Sequence, residues 1–338
     1  MKLEFLRLPA AERGAYFSEA AARRGVSPII LEKDFWVCWM LGILFESPFA
    51  SDIVFKGGTS LSKVFGVIDR FSEDIDLSLS PEFLELPEIG TPPSRNKANE
   101  WMEKAEAACA AAVRDRLQPT LEESVTEVLG ESTSAWLEFQ IDSISNSPVL
   151  LFHYPTTQPA GFAYLRRSVK LEFGSLTDQR PTGRHSVKPW LAEIFPVAFP
   201  DWECEVVALE IERTFWEKAT ILHAEHFRPA EKSTSERFSR HYADTAALAS
   251  HASGLSAIEQ AEARERVVRW KSQFFGSAWA RYDLAVPGSF QLLPSQDRIR
   301  ELERDYEAMK DMYLTEPSSF TDVSATLQHL ADRINGKT

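Results

Sequence analysis

Cysteine is scarce, with Cys38, Cys109 and Cys204 the only three in 338 residues. An odd count at scattered positions excludes a disulfide framework and a cysteine zinc site, and it fits a reducing, cytoplasmic setting. Positive charge is also in short supply. The 37 Lys and Arg stand against 50 Asp and Glu, a net charge of −13, so the chain does not advertise bulk nucleic-acid binding. No long hydrophobic run occurs. The longest near the N-terminus, Phe35 to Phe45, falls well short of the ~20 residues of a membrane span. The opening MKLEFLRLPAAERG carries charges throughout and is no signal peptide. Neither P-loop spacing nor a nucleophile elbow is present, and there is no internal repeat.

What is present is an ordinary globular composition, 44% hydrophobic and 11% aromatic, able to bury a sizeable core. At ~150 residues per domain the length corresponds to about two domains. Residues 1–50 read as helical, with Gly25 ending one helix and Ser27-Pro28 opening the next. Residues 51–209 hold the strand candidates Asp52–Phe55, Asp74–Leu79, Trp136–Ile141, Val149–Tyr154, Tyr164–Phe173 and Cys204–Leu209. They also hold an insertion near 81–160, containing an amphipathic helix from Trp101 to Leu117. The polar stretch 176–189 reads as a loop. From 210 to 338 helices dominate, near 210–226, 240–252, 256–275, 295–313 and 320–333. The fold class is α+β: a mixed sheet core, N-terminal helices and a C-terminal helical domain.

Two patterns bear on chemistry. In Asp74-Ile75-Asp76-Leu77-Ser78-Leu79, strict alternation puts both carboxylates on one strand face. Such a pair either shares a cation, for which Mg²⁺ with substrate phosphates is suited, or forms a solvated strand edge. Upstream, Phe55-Lys56-Gly57-Gly58-Thr59-Ser60 runs from strand end through a glycine pair into a helix. That layout admits a phosphate, or is simply a capped turn. The two patterns together, within twenty residues, are more specific than either alone. In Val169-Lys170-Leu171-Glu172-Phe173, Glu172 faces away from the core and is a candidate third carboxylate, or part of a surface Lys/Glu face. His223 and His226 lie three apart on a helix, without a further metal ligand suggested by sequence. Cys109 sits among alanines and reads as core.

These strings, KGGTSLSK, RFSEDIDLSL, VKLEFG, ERTFWEKATILHAEH and SRHYADTAAL, occur in an order that resembles the AbiEii-type nucleotidyltransferase toxins. These are MenT-like relatives of the polymerase β-like nucleotidyltransferase superfamily. The resemblance covers roughly Leu31 to Leu248. Fifteen residues separate Gly58 from Asp74, longer than the superfamily's interval and like that of the AbiEii branch. The resemblance implies Mg²⁺ on Asp74 and Asp76, and a nucleoside triphosphate bound at Gly57, Gly58, Thr59 and Ser60, with Arg70 and Ser72 lining it. It implies a phosphate-contacting Lys218 and a distal Asp244 in the active site, with Glu172 on the third-carboxylate strand. It further implies an RNA acceptor, a tRNA 3′ end, and a cognate antitoxin in a type IV toxin–antitoxin pair. The residues themselves leave other roles open. Lys218 can pair with Glu217 or Glu225, and Arg240 and Asp244 can form an intrahelical ion pair. His241 or Tyr242 can stack on a base or be buried. Cations at Arg166, Arg167, Arg180, Arg184, His185, Lys188, Arg228, Lys232, Arg237, Arg240 and His241 either meet RNA phosphates or are ordinary charge scatter. A protein hydroxyl as acceptor, and a non-catalytic nucleotide-binding protein, are the competing functions.

Overall fold

Apolar alternation and one fully buried helix set the architecture in the computed structural model, which describes residues 4–87, 94–158 and 167–337. The chain divides into two units. The first comprises Met1–Val64, Phe71–Glu88 and Trp101–Ala208; the second comprises Phe65–Arg70, Ile89–Glu100 and Leu209–Thr338.

The first unit is built on a seven-stranded mixed sheet. In chain order the strands are β1 (Ile53–Lys56), β2 (Asp74–Leu79), β3 (Leu137–Ile141), β4 (Pro148–Phe152), β5 (Val169–Gly174), β6 (Thr182–Val187) and β7 (Cys204–Leu209). Their spatial order is β3-β4-β5-β2-β1-β7-β6. β2 lies at the centre, antiparallel to β1 and parallel to β5. The parallel register sets Asp74 beside Lys170 and Asp76 beside Glu172.

The helix Pro28–Glu46 is capped by Ser27, whose side chain accepts from the Ile29 amide. It is buried from Leu31 to Leu44, which explains why its sequence lacks an amphipathic stripe. Three consecutive charges inside it, Glu32, Lys33 and Asp34, are buried, and each has a partner. Glu32 accepts from the Thr156 hydroxyl at 2.6 Å and from the Thr157 amide and hydroxyl at 2.6 and 2.8 Å. Asp34 accepts from Lys63 at 2.6 Å and from the Trp190 amide at 2.7 Å. Lys33 pairs with Glu73. Unpaired charges at these depths would cost several kcal/mol each. The partners therefore fix this helix against the segments that carry Lys63 and Glu73.

The second unit is mainly helical, with Ile211–His226, Ser239–Ala249, Ala261–Phe274, Ile299–Ala308 and Phe320–Ile334 its longer helices. Its last helix begins with a reciprocal capping box between Ser319 and Asp322.

Three expectations are corrected. The stretch 176–189 is not all loop, because Thr182–Val187 forms β6. As the last strand of the sheet it is exposed on one face and, but for Val187, only half-buried on the other, so its polar residues do not signal a core strand. The helix expected from Trp101 to Leu117 starts at Arg95 and runs through a π turn at Val113–Leu117 into a further helix, Gln118–Leu129. Pro119 directly follows the π turn in this continuous helical backbone, to which it contributes no N–H. The segment expected as one helix over 256–275 contains a 3₁₀ turn, Ala257–Glu259, before Ala261–Phe274. Of the strand expected over Tyr164–Phe173, residues 164–166 lie outside the described residues, as does Arg166 among the expected cations. No described helix is long and apolar enough to cross a membrane.

Candidate active site

The first unit assembles the glycine turn and the carboxylate strand as one object. β1 ends at Lys56 and the helix Gly57–Lys63 starts at once, with Gly57 at φ +79°. A β-carbon at Gly57 would lie 2.8 Å from Asp76 Cγ and 2.9 Å from Asp76 Cβ. Glycine is thus required twice, by the left-handed backbone and by the packed carboxylate. Thr59 and Ser60, fully buried, turn their hydroxyls inward. Thr59 donates to the Asp74 carbonyl, which can only accept, so the Ser72 hydroxyl, 2.9 Å away, donates to Thr59. Ser60 donates to the Gly57 carbonyl at 2.9 Å. The Thr59 hydroxyl, joined by that of Ser72, ties the turn to β2, and the Ser60 hydroxyl closes the turn on itself.

Asp74 and Asp76 are partly exposed, flanking buried Ile75 and alternating as the sequence pattern requires. Burial, then the neighbouring Glu73 and Asp76 carboxylates, push Asp74 up to about 6, against the opposing pull of Lys170 and Lys33. Beside them on β5, Lys170 donates to Glu172 at 2.7 Å and to Asp142 at 2.8 Å. Despite its own desolvation, Lys170 is raised by these two carboxylates. Glu172 stands next to Asp76 in register, as the third-strand expectation requires, but its carboxylate is bonded to Lys170. Among the described residues no group of three or more metal-ligating side chains forms.

The second unit holds a separate buried charge cluster. Asp244, on Ser239–Ala249, receives Arg70 through two parallel bonds of 2.8 Å each and Lys218, on Ile211–His226, at 2.8 Å. Arg70, Lys218 and Asp244 are 3%, 7% and 1% exposed. Burial acts to raise Asp244, but the Arg70 and Lys218 cations hold it well below the usual carboxylate range. Burial draws Lys218 down, with Asp244 opposing. Lys218 therefore pairs with neither Glu217, which bonds Arg213 at 3.1 Å, nor Glu225, which bonds Arg228 at 3.0 Å. The pairing of Arg240 with Asp244 along one helix is likewise replaced by Arg70 and Lys218. The backbone of Arg70 is fixed from the C-terminal side. It forms an isolated antiparallel bridge with Tyr313, and the Leu314 amide donates to the Asp69 carbonyl at 3.1 Å.

The histidines take structural roles. Gln291 N–H donates to His223 Nδ1 at 3.1 Å, which leaves the proton on Nε2, 2.9 Å from the Arg281 carbonyl. His226 Nδ1 lies 2.8 Å from the Leu293 carbonyl. Tyr242 is fully buried against Phe238 and Phe320. Cys109 is fully buried, as core packing requires. Several expected RNA cations are neutralised within the chain, Arg184 by Glu205 and Arg228 by Glu225.

A family model, nucleotidyl transferase AbiEii toxin of type IV toxin–antitoxin systems, matches residues 40–330. The chain belongs to that family. A similar solved structure is that of the nucleotidyltransferase toxin MenT4 from Mycobacterium tuberculosis H37Rv, at 15% identity and a TM-score of 0.49, covering 94% of this chain and 89% of that one. No curated protein matches the chain in sequence. The toxin is accordingly a nucleotidyltransferase, with a nucleotide substrate and an antitoxin as partner.

Four further residues shape the toxin's carboxylate strand without having been expected from sequence: Lys33, Glu73, Asp142 and Lys170. Only Lys170 left a local signal, since it shares a strand face with Glu172. Lys33 and Asp142 reach the site from 40 and 28 residues away, a distance that no local pattern spans.

Proposed function

We propose that the toxin transfers a nucleoside monophosphate from an NTP to an acceptor hydroxyl, the 3′ end of a tRNA, in a Mg²⁺-dependent reaction. The observation that carries this reading is the packing of Asp76 against the Gly57 turn, with Asp74 on the same face of β2. Two adjacent carboxylates, one of them pushed up to about 6 by burial and its neighbours, form a hard-oxygen donor pair in need of a cation, and they fit Mg²⁺. Held by Asp74 and Asp76, Mg²⁺ supplies neutralisation of the charge that builds on the phosphates.

The chain's own residues do the rest. Gly57–Ser60 present backbone to the triphosphate, a role taken from the family resemblance. The buried Thr59 hydroxyl and the Ser72 hydroxyl bonded to it keep that turn fixed on β2. The acceptor oxygen attacks the α-phosphorus; the bond from the α-phosphorus to the bridging oxygen breaks, and pyrophosphate leaves. The acceptor proton passes to a carboxylate of the Asp76–Glu172 pair. Asp244 is assigned a different part. Bonded to two cations and held far below the usual carboxylate range, it is a poor proton acceptor, and it positions Lys218 and Arg70. Lys218 remains the proposed phosphate-contacting lysine on the resemblance.

The test is transfer of label from each α-³²P-NTP to total tRNA with Mg²⁺, wild type against Asp74→Ala/Asp76→Ala. Label on tRNA with the wild type alone supports the reading and names the nucleotide. Label on a polypeptide band replaces the RNA acceptor with a protein hydroxyl. Equal label with both proteins, or none with either while NTP still binds, overturns the catalytic assignment.

A further inference from the structure

In the second unit, a cavity of about 480 Å³ opens between the start of the Arg95–Ala112 helix and the end of the Ala261–Phe274 helix. Arg95 and Asn99, four residues apart, share one helix face toward it. Arg269, Ser272 and Gln273, at i, i+3 and i+4, share another. Its lining holds two guanidiniums, three neutral hydrogen-bonding side chains and no carboxylate. Arg95 donates to the Gly276 carbonyl at 3.3 Å. Neither Arg95 nor Arg269 has a carboxylate partner among the described residues.

In a chain with 50 acidic residues to 37 basic ones, carboxylates are at hand for many arginines, as for Arg23, Arg24, Arg70, Arg114, Arg184, Arg213, Arg228, Arg281 and Arg298. Two unneutralised guanidiniums facing one cavity are matched to an anion with several oxygens. Phe275, between the lining residues Phe274 and Gly276 in sequence, is 41% exposed, with Lys271 Nζ 4.6 Å from its ring centroid. An exposed ring next in sequence to a cation-lined cavity offers a base a stacking partner while its phosphate is held.

We propose that this cavity is a docking subsite for a backbone phosphate of a single-stranded polynucleotide, the acceptor strand of the proposed reaction. Arg95 and Arg269 hold the phosphate, Asn99, Ser272 and Gln273 complete its hydrogen bonds, and Phe275 meets a base. The inference rests on the RNA-acceptor reading. It places recognition on residues outside the expected basic stretches and gives the 256–338 region a part in substrate binding.

The test uses the full chain, a fluorescein-labelled single-stranded RNA and anisotropy titrations at several salt concentrations, without NTP or metal. Compared with wild type, Arg95→Ala/Arg269→Ala binds about tenfold more weakly or worse, and its salt slope falls by about 0.7 for each phosphate it no longer neutralises. Arg95→Lys/Arg269→Lys keeps most of the salt slope. Unchanged affinity and slope in an alanine variant that melts like wild type overturns the proposal. So does equal competition by polyglutamate, which would make the site one for acidic polypeptide. Because binding is read without catalysis, the two readings fail separately. RNA binding through these arginines with no nucleotidyl transfer sinks only the catalytic reading. Transfer to RNA with an unchanged KM in the alanine variant sinks only this one.

Discussion

Asp76 occupies the space that a side chain at residue 57 would need: a β-carbon on Gly57 would sit 2.8 Å from Asp76 Cγ, on a backbone at φ +79°. The glycine turn and the carboxylate strand are therefore one packed unit. Gly57→Ala must both adopt a left-handed backbone and displace Asp76. We expect a destabilisation of about 1–3 kcal/mol, read from urea unfolding. Transfer activity should fall by more than the folded fraction explains. A variant with wild-type stability and activity would show that the turn and Asp76 are not coupled.

Metal binding should be visible as stability. Ions that bind the native state alone raise the melting temperature in proportion to the logarithm of their concentration. Mg²⁺ is expected to raise the melting point of the wild type, and EDTA to reverse the shift. Asp74→Asn/Asp76→Asn should show no shift. Without metal, the same variant should melt no lower than wild type, because it removes like-charge repulsion. A Mg²⁺ shift that persists in the variant places the ion elsewhere.

The Arg70–Asp244–Lys218 cluster predicts an asymmetry. Asp244→Asn leaves two buried cations without their counter-charge and should cost about 3–5 kcal/mol. Lys218→Met leaves Asp244 still bonded twice by Arg70 and fills the lysine's space, so its loss should be clearly smaller. Chemical denaturation of the two single variants and the double variant measures this. Equal losses would mean that the cluster is not organised around Asp244. The transfer rate of Lys218→Met should nevertheless fall about 10²-fold or more if the lysine contacts phosphate.

His223 supplies a pH dependence. It is fully buried, and its Nδ1 accepts from the Gln291 amide, so a second ring proton would meet an N–H. Burial lowers its pKa below the ordinary value. The unfolded state, with a pKa near ~6.5, then binds the proton more readily than the native state. Stability is complete above ~6.5 and declines as the pH falls from there toward the native pKa. His223→Gln should be less stable at neutral pH, with a flatter decline between about pH 7 and 5. An unchanged slope, from unfolding curves across that range, would assign the acid sensitivity to other groups.

Much of the local structure was legible without coordinates. The alternation in Asp74–Leu79 and Val169–Phe173 gave both strands and the faces of Asp74, Asp76 and Glu172, because a strand's period of two is written directly in the residues. The helix expected near 210–226 is found at Ile211–His226, and Ser27-Pro28 marked the start of the helix Pro28–Glu46. β6 was not legible, since a strand exposed on one side has the composition of a loop. The helix Gln118–Leu129 was missed because a proline in a sequence reads as a helix stop. Nothing in the sequence marks Glu32, Lys33 and Asp34 as buried, yet each is, with a partner from elsewhere in the chain.

The proposed nucleotide-handling parts are written in the order of the residues: the glycine turn, the aspartate pair, the lysine helix and the distal aspartate, all properties of short range and fixed period. What those groups touch was settled by the folded arrangement. It turned the Thr59, Ser60 and Ser72 hydroxyls inward, bonded Glu172 to Lys170, and gave Asp244 to Arg70 and Lys218. It also left Arg95 and Arg269 facing a cavity with no carboxylate partner among the described residues. The reason is electrostatic. A buried charge must find its partner in space, and the partner's place in the chain follows from sheet register and helix packing, which no local stretch of sequence specifies.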